Sequence, residues 1–267
     1  MNKKIGVGMI TYNAPERLKK TAFTVPNGVD KFVIVNDGTS YLYTSDCYPK
    51  EAEIINHSKN LGVGCAKNTA LRALIQSGCD YLFLIEDDIM IKDPNVFEKY
   101  IKAGEKSGLW HMCFALHGPA NILQDGKPNP QQVVDYGDGV EIGFYKHSVG
   151  AFCMYLKNMI RHVGYMDERY KNAFEHVDHS FRIVKAGFIP AYWYWPDIMN
   201  SQNYLQETAS STVSTVIPHT PEWQKNFQIA ATLFKHLHGH YPTQVPDTTP
   251  EVILENLKKI QQNYGKK

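Results

Sequence analysis

In the first half of the chain, apolar residues gather into short continuous runs. In the last fifty residues they recur at helical spacing. The run Tyr81-Leu-Phe-Leu-Ile85 leads straight into Glu86, Asp87 and Asp88. A continuous apolar run of this length reads as a strand buried on both faces inside a parallel sheet. Ile5 to Ile10 and Lys31 to Asn36 read the same way, and Glu53 to Asn56 reads as a weaker strand. Between them the pattern changes to helical. One helix is expected from Pro15, with Asn13 as its N-cap. A second runs through Ala70, Leu71, Leu74 and Ile75 to a stop at Gly78. A third follows Asp93-Pro94 through Phe97, Tyr100 and Ile101. This alternation predicts a parallel α/β sheet.

The second half breaks the alternation. Leu109 to Leu116 reads as a strand, and residues 118–130 as a surface loop rich in Gly, Pro, Asn and Asp. Gln131 to Leu156 alternates around a turn at Gly137-Asp138-Gly139, which predicts an antiparallel hairpin or meander. Phe174 to Ala186 predicts a helix. Ile189 to Trp195 predicts an edge strand, because Pro190 cannot donate to a ladder. Ser201 to Val216 is Ser/Thr-rich and reads as a mobile loop. Two helices close the chain. The first has Trp223, Phe227, Ala230, Phe234 and Leu237 on its apolar face; the second has Leu254, Leu257 and Ile260 inward.

Composition narrows the function classes. Of 267 residues, 28 are Lys or Arg and 27 Asp or Glu, a formal net charge of +1. No global basic field favours nucleic acid or a membrane surface. The five cysteines are scattered and form no Cys-x-x-Cys, which argues for a reduced compartment and against a zinc–thiolate site. The apolar stretch near the N-terminus is too short for a signal peptide, and no run reaches membrane-spanning length. A cytoplasmic protein without a membrane anchor is expected.

The candidate chemistry lies where the strands end. Ligand crevices of open α/β sheets lie at the carboxyl ends of the strands. Three acidic side chains at one strand end repel one another unless a positive group sits between them, most simply a hard divalent cation. Thr11-Tyr12-Asn13 offers an aromatic face and hydrogen bonds. Asp37 offers a carboxylate acceptor suited to the imide N–H of a uracil. Gly62 and Gly64 allow close backbone approach, and Lys67 supplies charge for a phosphate.

Together these segments resemble the GT-A-fold glycosyltransferases, especially the family-two type. The resemblance is carried by Val7-Gly-Met-Ile-Thr-Tyr-Asn13 with Arg17, by Val33-Ile-Val-Asn-Asp-Gly-Thr-Ser40, by Asn60-Leu-Gly-Val-Gly-Cys-Ala-Lys-Asn68, and by Leu84-Ile-Glu-Asp-Asp88. It continues in Val163-Gly-Tyr-Met-Asp-Glu168, in Phe174-Glu-His-Val-Asp-His-Ser-Phe-Arg182 and in Lys185-Ala-Gly187. It implies a single GT-A-type α/β domain over residues 1–267. A mostly parallel sheet flanked by helices would carry a small antiparallel portion and C-terminal helices. Residues 1–117 would bind the nucleotide sugar and 118–200 would hold acceptor and catalytic groups. Residues 201–267 would form the mobile loop and the last helices.

The resemblance also implies roles. Thr11, Tyr12, Asn13, Arg17, Asp37, Gly64, Lys67, Glu86 and Asp87 would bind the nucleotide-sugar donor, expected to be UDP-linked. Asp88 would coordinate Mn²⁺ or Mg²⁺ on the diphosphate, with a late histidine as a further ligand, His219 first and His236, His238 or His240 as alternatives. Relatives of this type commonly start the late helix with Glu-Asp, the Asp being the general base of inverting enzymes. Here the pair is Glu175-His176, with Asp178 two residues on. Alignment assigns the base to His176, whereas carboxylate chemistry favours Asp178; Glu175 is a third candidate or an acceptor ligand. Trp193, Tyr194 and Trp195 are candidates for a sugar platform. The acceptor hydroxyl could belong to a glycan, a protein, a small molecule or a modified nucleic-acid base. A sugar nucleotidyltransferase or a non-catalytic carbohydrate- or nucleotide-binding module are the rival readings.

Overall fold

The apolar runs of the first half are the central strands of one twisted sheet. The structure, a computed structural model, describes residues 3–38, 46–208 and 221–266. Strand β1 (Ile5–Thr11) pairs in parallel with β2 (Lys31–Asn36) on one side and β4 (Tyr81–Glu86) on the other. Strand β3 (Glu53–Asn56) extends the sheet beyond β2. The far edge is antiparallel. Strand β9 (Phe152–Leu156) inserts between β4 and β6 (His111–Cys113), giving the order β3-β2-β1-β4-β9-β6 among the described residues.

Helix α1 (Pro15–Ala22) and helix α2 (Val63–Gln76) follow β1 and β3, and α2 packs on β1 and β2. Helix α3 (Val96–Ser107) packs against α7 (Pro250–Tyr264) and carries Phe97 and Tyr100 to Phe83 and Phe152. Phe83 and Phe97 approach to 4.6 Å between ring centroids. Aromatic pairs at such spacing add to the area term, so truncating a buried Phe here costs about 3–5 kcal/mol. Helix α4 (Lys157–Val163) runs on from β9, and α5 (Glu175–Lys185) and α6 (Pro221–His238) pack through Phe181 and Phe234.

The expected hairpin exists as β7 (Gln132–Asp135) and β8 (Glu141–Tyr145), which with β10 (Trp195–Ile198) form a small antiparallel sheet. The architecture is therefore the expected α/β one: a mostly parallel central sheet, an antiparallel part and flanking helices.

Several local expectations are corrected. The chain over Ile189–Tyr194 is not a strand; Trp193 has φ +71°, which breaks extension, and the strand starts at Trp195. The last helix buries Ile253, Leu257 and Ile260 and leaves Leu254 45% exposed, a shift of one residue from the expected face. Phe227 and Leu237 on α6 stay exposed, because Ala230 and Phe234 suffice to meet the neighbouring elements. Asn13 does not cap α1: it has φ +49°, and Ala14 precedes the helix without a side-chain bond. Residues 201–208 are ordered as a 3₁₀ turn and strand β11 (Leu205–Glu207), paired with β5 (Ile89–Ile91). The rest of the expected loop, 209–216, lies outside the described residues. No helix among the described residues is long and apolar enough to cross a membrane.

Candidate active site

The carboxyl ends of β1, β2 and β4 open into a cleft of about 430 Å³. Tyr12, Arg17, Asp37 and the trio Glu86, Asp87 and Asp88 line one side of it. Its far wall carries His117, His147, Glu175 and His176. Asn60 from the loop before α2 and Val63 at its start also line it, so four strand-end segments that are distant in sequence meet.

The acidic trio is differentiated by environment. Asp87 is 6% exposed, accepts a hydrogen bond from Thr11 Oγ1 at 2.7 Å and pairs with Arg17 Nε at 3.2 Å. Burial pushes its carboxyl up to about 7, against the pull of Arg17 and Thr11. Glu86 turns inward to Lys67 Nζ at 2.7 Å. Asp88 accepts from His117 Nε2 at 3.3 Å. Burial works against its ionisation, but the His117 hydrogen bond and charge, with Arg17, hold its carboxyl below the ordinary range. Its Oδ1 is buried and has no hydrogen-bond partner among the described residues.

Asp37 lines the cleft but also ties the fold together. Its Oδ1 accepts from the Leu61 N–H at 2.9 Å and meets His57 Nδ1 at 2.7 Å; its Oδ2 accepts from the Gly62 N–H at 2.9 Å. One Oδ2 lone-pair direction remains for a ligand. Gly62 has φ +98°, and a Cβ there would sit 2.5 Å from the Lys171 carbonyl oxygen. Gly64 packs on Glu175 and the Tyr170 carbonyl. The glycines let two segments of protein backbone approach one another, where close approach to a ligand was expected.

Lys67 is also placed differently from its expected role. It is 1% exposed and bonded to Glu86 at 2.7 Å, the Gly150 carbonyl at 3.1 Å and Glu175 Oε1 at 3.2 Å. Burial alone would lower its ammonium, yet the two carboxylates hold it above its ordinary value. It joins the two walls beneath the cleft and does not line it, so it is not positioned to meet a phosphate.

Glu175 and His176 sit at the start of α5, facing the cleft. Glu175 is 3% exposed. Burial would raise its carboxyl, but Lys67 and then His176 hold it well below the ordinary range. Its Oε1 lies 3.1 Å from His176 Nδ1. Gly150 makes room for the ring: a Cβ there would lie 2.8 Å from His176 Cγ. Asp178 is two residues on, about 200° around the helix, and points away. It is buried outside the cleft lining, bound to Arg182 Nε at 2.9 Å and His238 Nε2 at 2.8 Å, so its position does not suit a base. The platform candidates also lie elsewhere. Trp195 is buried, and Trp193 donates to the Val245 carbonyl at 2.9 Å. His219 lies outside the described residues.

No protein-family model matches the chain. An uncharacterized glycosyltransferase of Acanthamoeba polyphaga mimivirus is 26% identical over 221 residues, which covers 76% of this chain and 80% of that protein. TarS from S. aureus superposes with a TM-score of 0.54 at 12% identity, over 98% of this chain and 44% of that one. The chain thus spans less than half the length of that TarS structure. A mannosyltransferase from Pyrobaculum calidifontis, solved with GDP-Man and Mn²⁺, has a TM-score of 0.52 at 11% identity, over 99% of this chain and 71% of that one. The chain is glycosyltransferase-like in sequence and in fold. At such identities the solved structures speak for the fold alone, and the mimivirus relative supports a glycosyltransferase enzyme.

Two residues of this glycosyltransferase-like protein lay outside the sequence reading. His117 is a lone histidine after a short strand, and Glu207 sits in a stretch read as loop. No local pattern marks either one; only the pairing of β5 with β11 brings Glu207 beside Asp88.

Proposed function

We propose that the protein transfers a sugar from a nucleotide sugar, UDP-linked by first choice, to an acceptor hydroxyl with inversion. The observation that carries the proposal is the Glu175–His176 pair, which faces the acidic strand end across one cleft. With Nδ1–H donated to the buried Glu175 carboxylate, His176 keeps a lone pair on Nε2 for the acceptor proton. The acceptor oxygen attacks the anomeric carbon as His176 takes that proton. The bond to the leaving diphosphate breaks on the opposite face. Glu175 fixes the ring and stabilises the imidazolium that forms, the same division of labour as in a carboxylate–histidine pair of a hydrolase. Tyr12 lines the base pocket, and the remaining Asp37 lone pair suits a base N–H.

A divalent cation here would rest on Asp88 and on the bound diphosphate, since no group of three or more His, Cys, Asp or Glu among the described residues is placed to hold one. Asp88 supplies a buried carboxylate oxygen without a partner among the described residues, and the cleft carries more carboxylates than cationic groups with which to meet a diphosphate. Asp88 would hold the ion, which when bound would stabilise charge on the departing diphosphate. A cytoplasmic location is part of the proposal; it rests on the five scattered cysteines, which form no Cys-x-x-Cys.

The test is release of nucleoside diphosphate from a panel of UDP-sugars and GDP-mannose, with Mn²⁺, with Mg²⁺ and with chelator. The expected result is cation-dependent release that falls about 10²-fold in kcat for His176→Ala while donor affinity is kept. No release from any donor, under any condition, would leave a binding module as the better reading.

A further inference from the structure

We infer that Cys113 and Cys153 are an oxidisable dithiol that closes into a disulfide and clasps the antiparallel edge of the central sheet. The five cysteines are scattered in the sequence, yet the pairing of β9 with β6 brings these two together. Cys113 lies directly opposite Cys153, and their Sγ atoms are 3.0 Å apart. That is shorter than the roughly 3.5–4.0 Å at which even two carbon atoms rest in contact.

The register suits a bridge. The Phe114 N–H donates to the Phe152 carbonyl at 3.0 Å, which makes Phe114 and Phe152 a hydrogen-bonded pair of the ladder. Pairs alternate along an antiparallel ladder, so Cys113 and Cys153 are a non-hydrogen-bonded pair. Their Cα atoms then stand about 4.5 Å apart, with both side chains on one face. A disulfide spans Cα separations of about 4.4–6.8 Å and closes the sulfurs to about 2.0 Å. The backbone therefore already stands at bridging distance, and side-chain rotation supplies the last ~1 Å. Each thiol proton also has an acceptor away from the other sulfur. Cys113 Sγ lies 3.7 Å from His111 Nε2, and Cys153 Sγ lies 3.6 Å from the Val149 carbonyl. With the protons so directed, sulfur lone pairs face one another across the gap.

The chemistry is a two-electron oxidation by a hydroperoxide such as hydrogen peroxide. Cys113 is 7% exposed and Cys153 1%, so Cys113 meets the oxidant first. Its sulfur attacks one peroxide oxygen, the O–O bond breaks, and the thiol proton leaves with the departing hydroxide as water. The Cys153 sulfur then attacks the sulfenic acid on Cys113. The S–O bond breaks, the S–S bond forms, and the released hydroxide takes the Cys153 proton as a second water. Two thiols and one peroxide become one disulfide and two waters. Burial pushes the Cys113 thiol up, which slows the first step. The second is fast, because the attacking sulfur is already in contact. In a reducing compartment the pair rests as thiols and closes under oxidant. Closure ties together two strands that carry the far wall of the cleft. His117 follows β6, and Val149, Gly150 and Ala151 lead into β9.

The test treats the folded protein with excess hydrogen peroxide, removes the peroxide with catalase and alkylates the remaining thiols under denaturing conditions. Mass spectrometry counts the labels and maps linked peptides. The expected result is two labels fewer than the five of reduced protein, with a peptide pair that joins Cys113 to Cys153. Dithiothreitol should restore both labels. The oxidised protein should melt about 4–16 °C higher without dithiothreitol than with it, since the bridge closes a loop of roughly forty residues in the unfolded chain. Cys113→Ala and Cys153→Ala should each lose both the peptide pair and the rise. If either variant fails to fold, the mapping and melting of wild type carry the test alone. Five labels retained, sulfinic acids in place of a link, or a link that joins other cysteines would overturn the inference. So would a bridged form that melts no higher than the reduced one. All these readouts are independent of the transfer reading, which stands or falls by its own assay.

Discussion

Replacing Lys67 with methionine separates two roles for this side chain. A phosphate-binding lysine at a helix start would cost donor affinity and little stability. The Lys67 observed here is 1% exposed and holds Glu175, which is itself 3% exposed, at 3.2 Å. Methionine fills much of the same volume but removes the charge, so Glu175 is left buried with His176 as its remaining close polar contact. Removing one partner of a buried ion pair typically costs about 3–5 kcal/mol. At about 2–4 °C per kcal/mol for a chain of this size, the melting temperature should fall by roughly 6–20 °C. The sign with pH follows. In the wild type the Glu175 carboxyl is depressed, so its contribution is present above the unfolded value and is lost as pH falls through the folded one. In Lys67→Met the dominant influence is burial, which raises the carboxyl; the variant should therefore recover relative to wild type as pH falls from neutral toward about 4.5, the ordinary glutamate range. Urea denaturation from pH 4 to 8 measures both effects. Lys67→Met combined with Glu175→Gln should be more stable than Lys67→Met alone, since it removes the stranded charge. A loss under about 1 kcal/mol in Lys67→Met, or no relief in the double variant, would refute the reasoning.

Four further outcomes are expected. Asp178→Asn should keep kcat within a few-fold in the transfer assay, while losing about 1–3 kcal/mol in urea denaturation, because its carboxylate serves Arg182 and His238. Gly62→Ala should destabilise by more than about 1 kcal/mol by the same measurement, since the position has φ +98° and no room for a Cβ. Buried His111, lowered by burial to about 4, favours the neutral form in the fold, so its stability contribution is lost as pH falls from about 6.5 to 4; a slope flattened by about 3 kcal/mol over that window in His111→Gln would be the readout. Asp37→Ala should weaken UDP binding measured by calorimetry by about 1.5–3 kcal/mol and also lower stability, since the same carboxylate holds the Leu61 and Gly62 amides.

The strands β1, β2 and β4 were legible because each is a continuous apolar run that ends in polar residues, and burial on both faces leaves that pattern in the sequence. The insertion of β9 beside β4 was not, because nothing local to Phe152–Leu156 says that its partner lies seventy residues earlier. The cleft was readable as four strand-end loops, but the direction of each side chain was not. Lys67 has the composition of a phosphate ligand, and only its burial between two carboxylates reveals a tie. For His176 and Asp178 the helical angle already said that one of them must face away. Which one depends on how α5 docks through Phe181 against α6, a long-range contact without a local signal.

The antiparallel insertion of β9 has a bearing on how the polypeptide is made. During synthesis β1 to β4 emerge first, yet the free side of β4 stays open until residues near 152 arrive. Until then the nascent chain presents an unsatisfied ladder of apolar strand, the kind of edge that recruits other chains. The pairing spans many residues, so loop closure slows it. A fragment ended at residue 117 would hold most of the groups proposed to bind the donor but would carry this sticky border permanently. It should aggregate where a fragment extended beyond Leu156 stays dispersed. Attempts to express the first half by itself are better cut after β9 than at residue 117, where the proposed donor-binding motifs end.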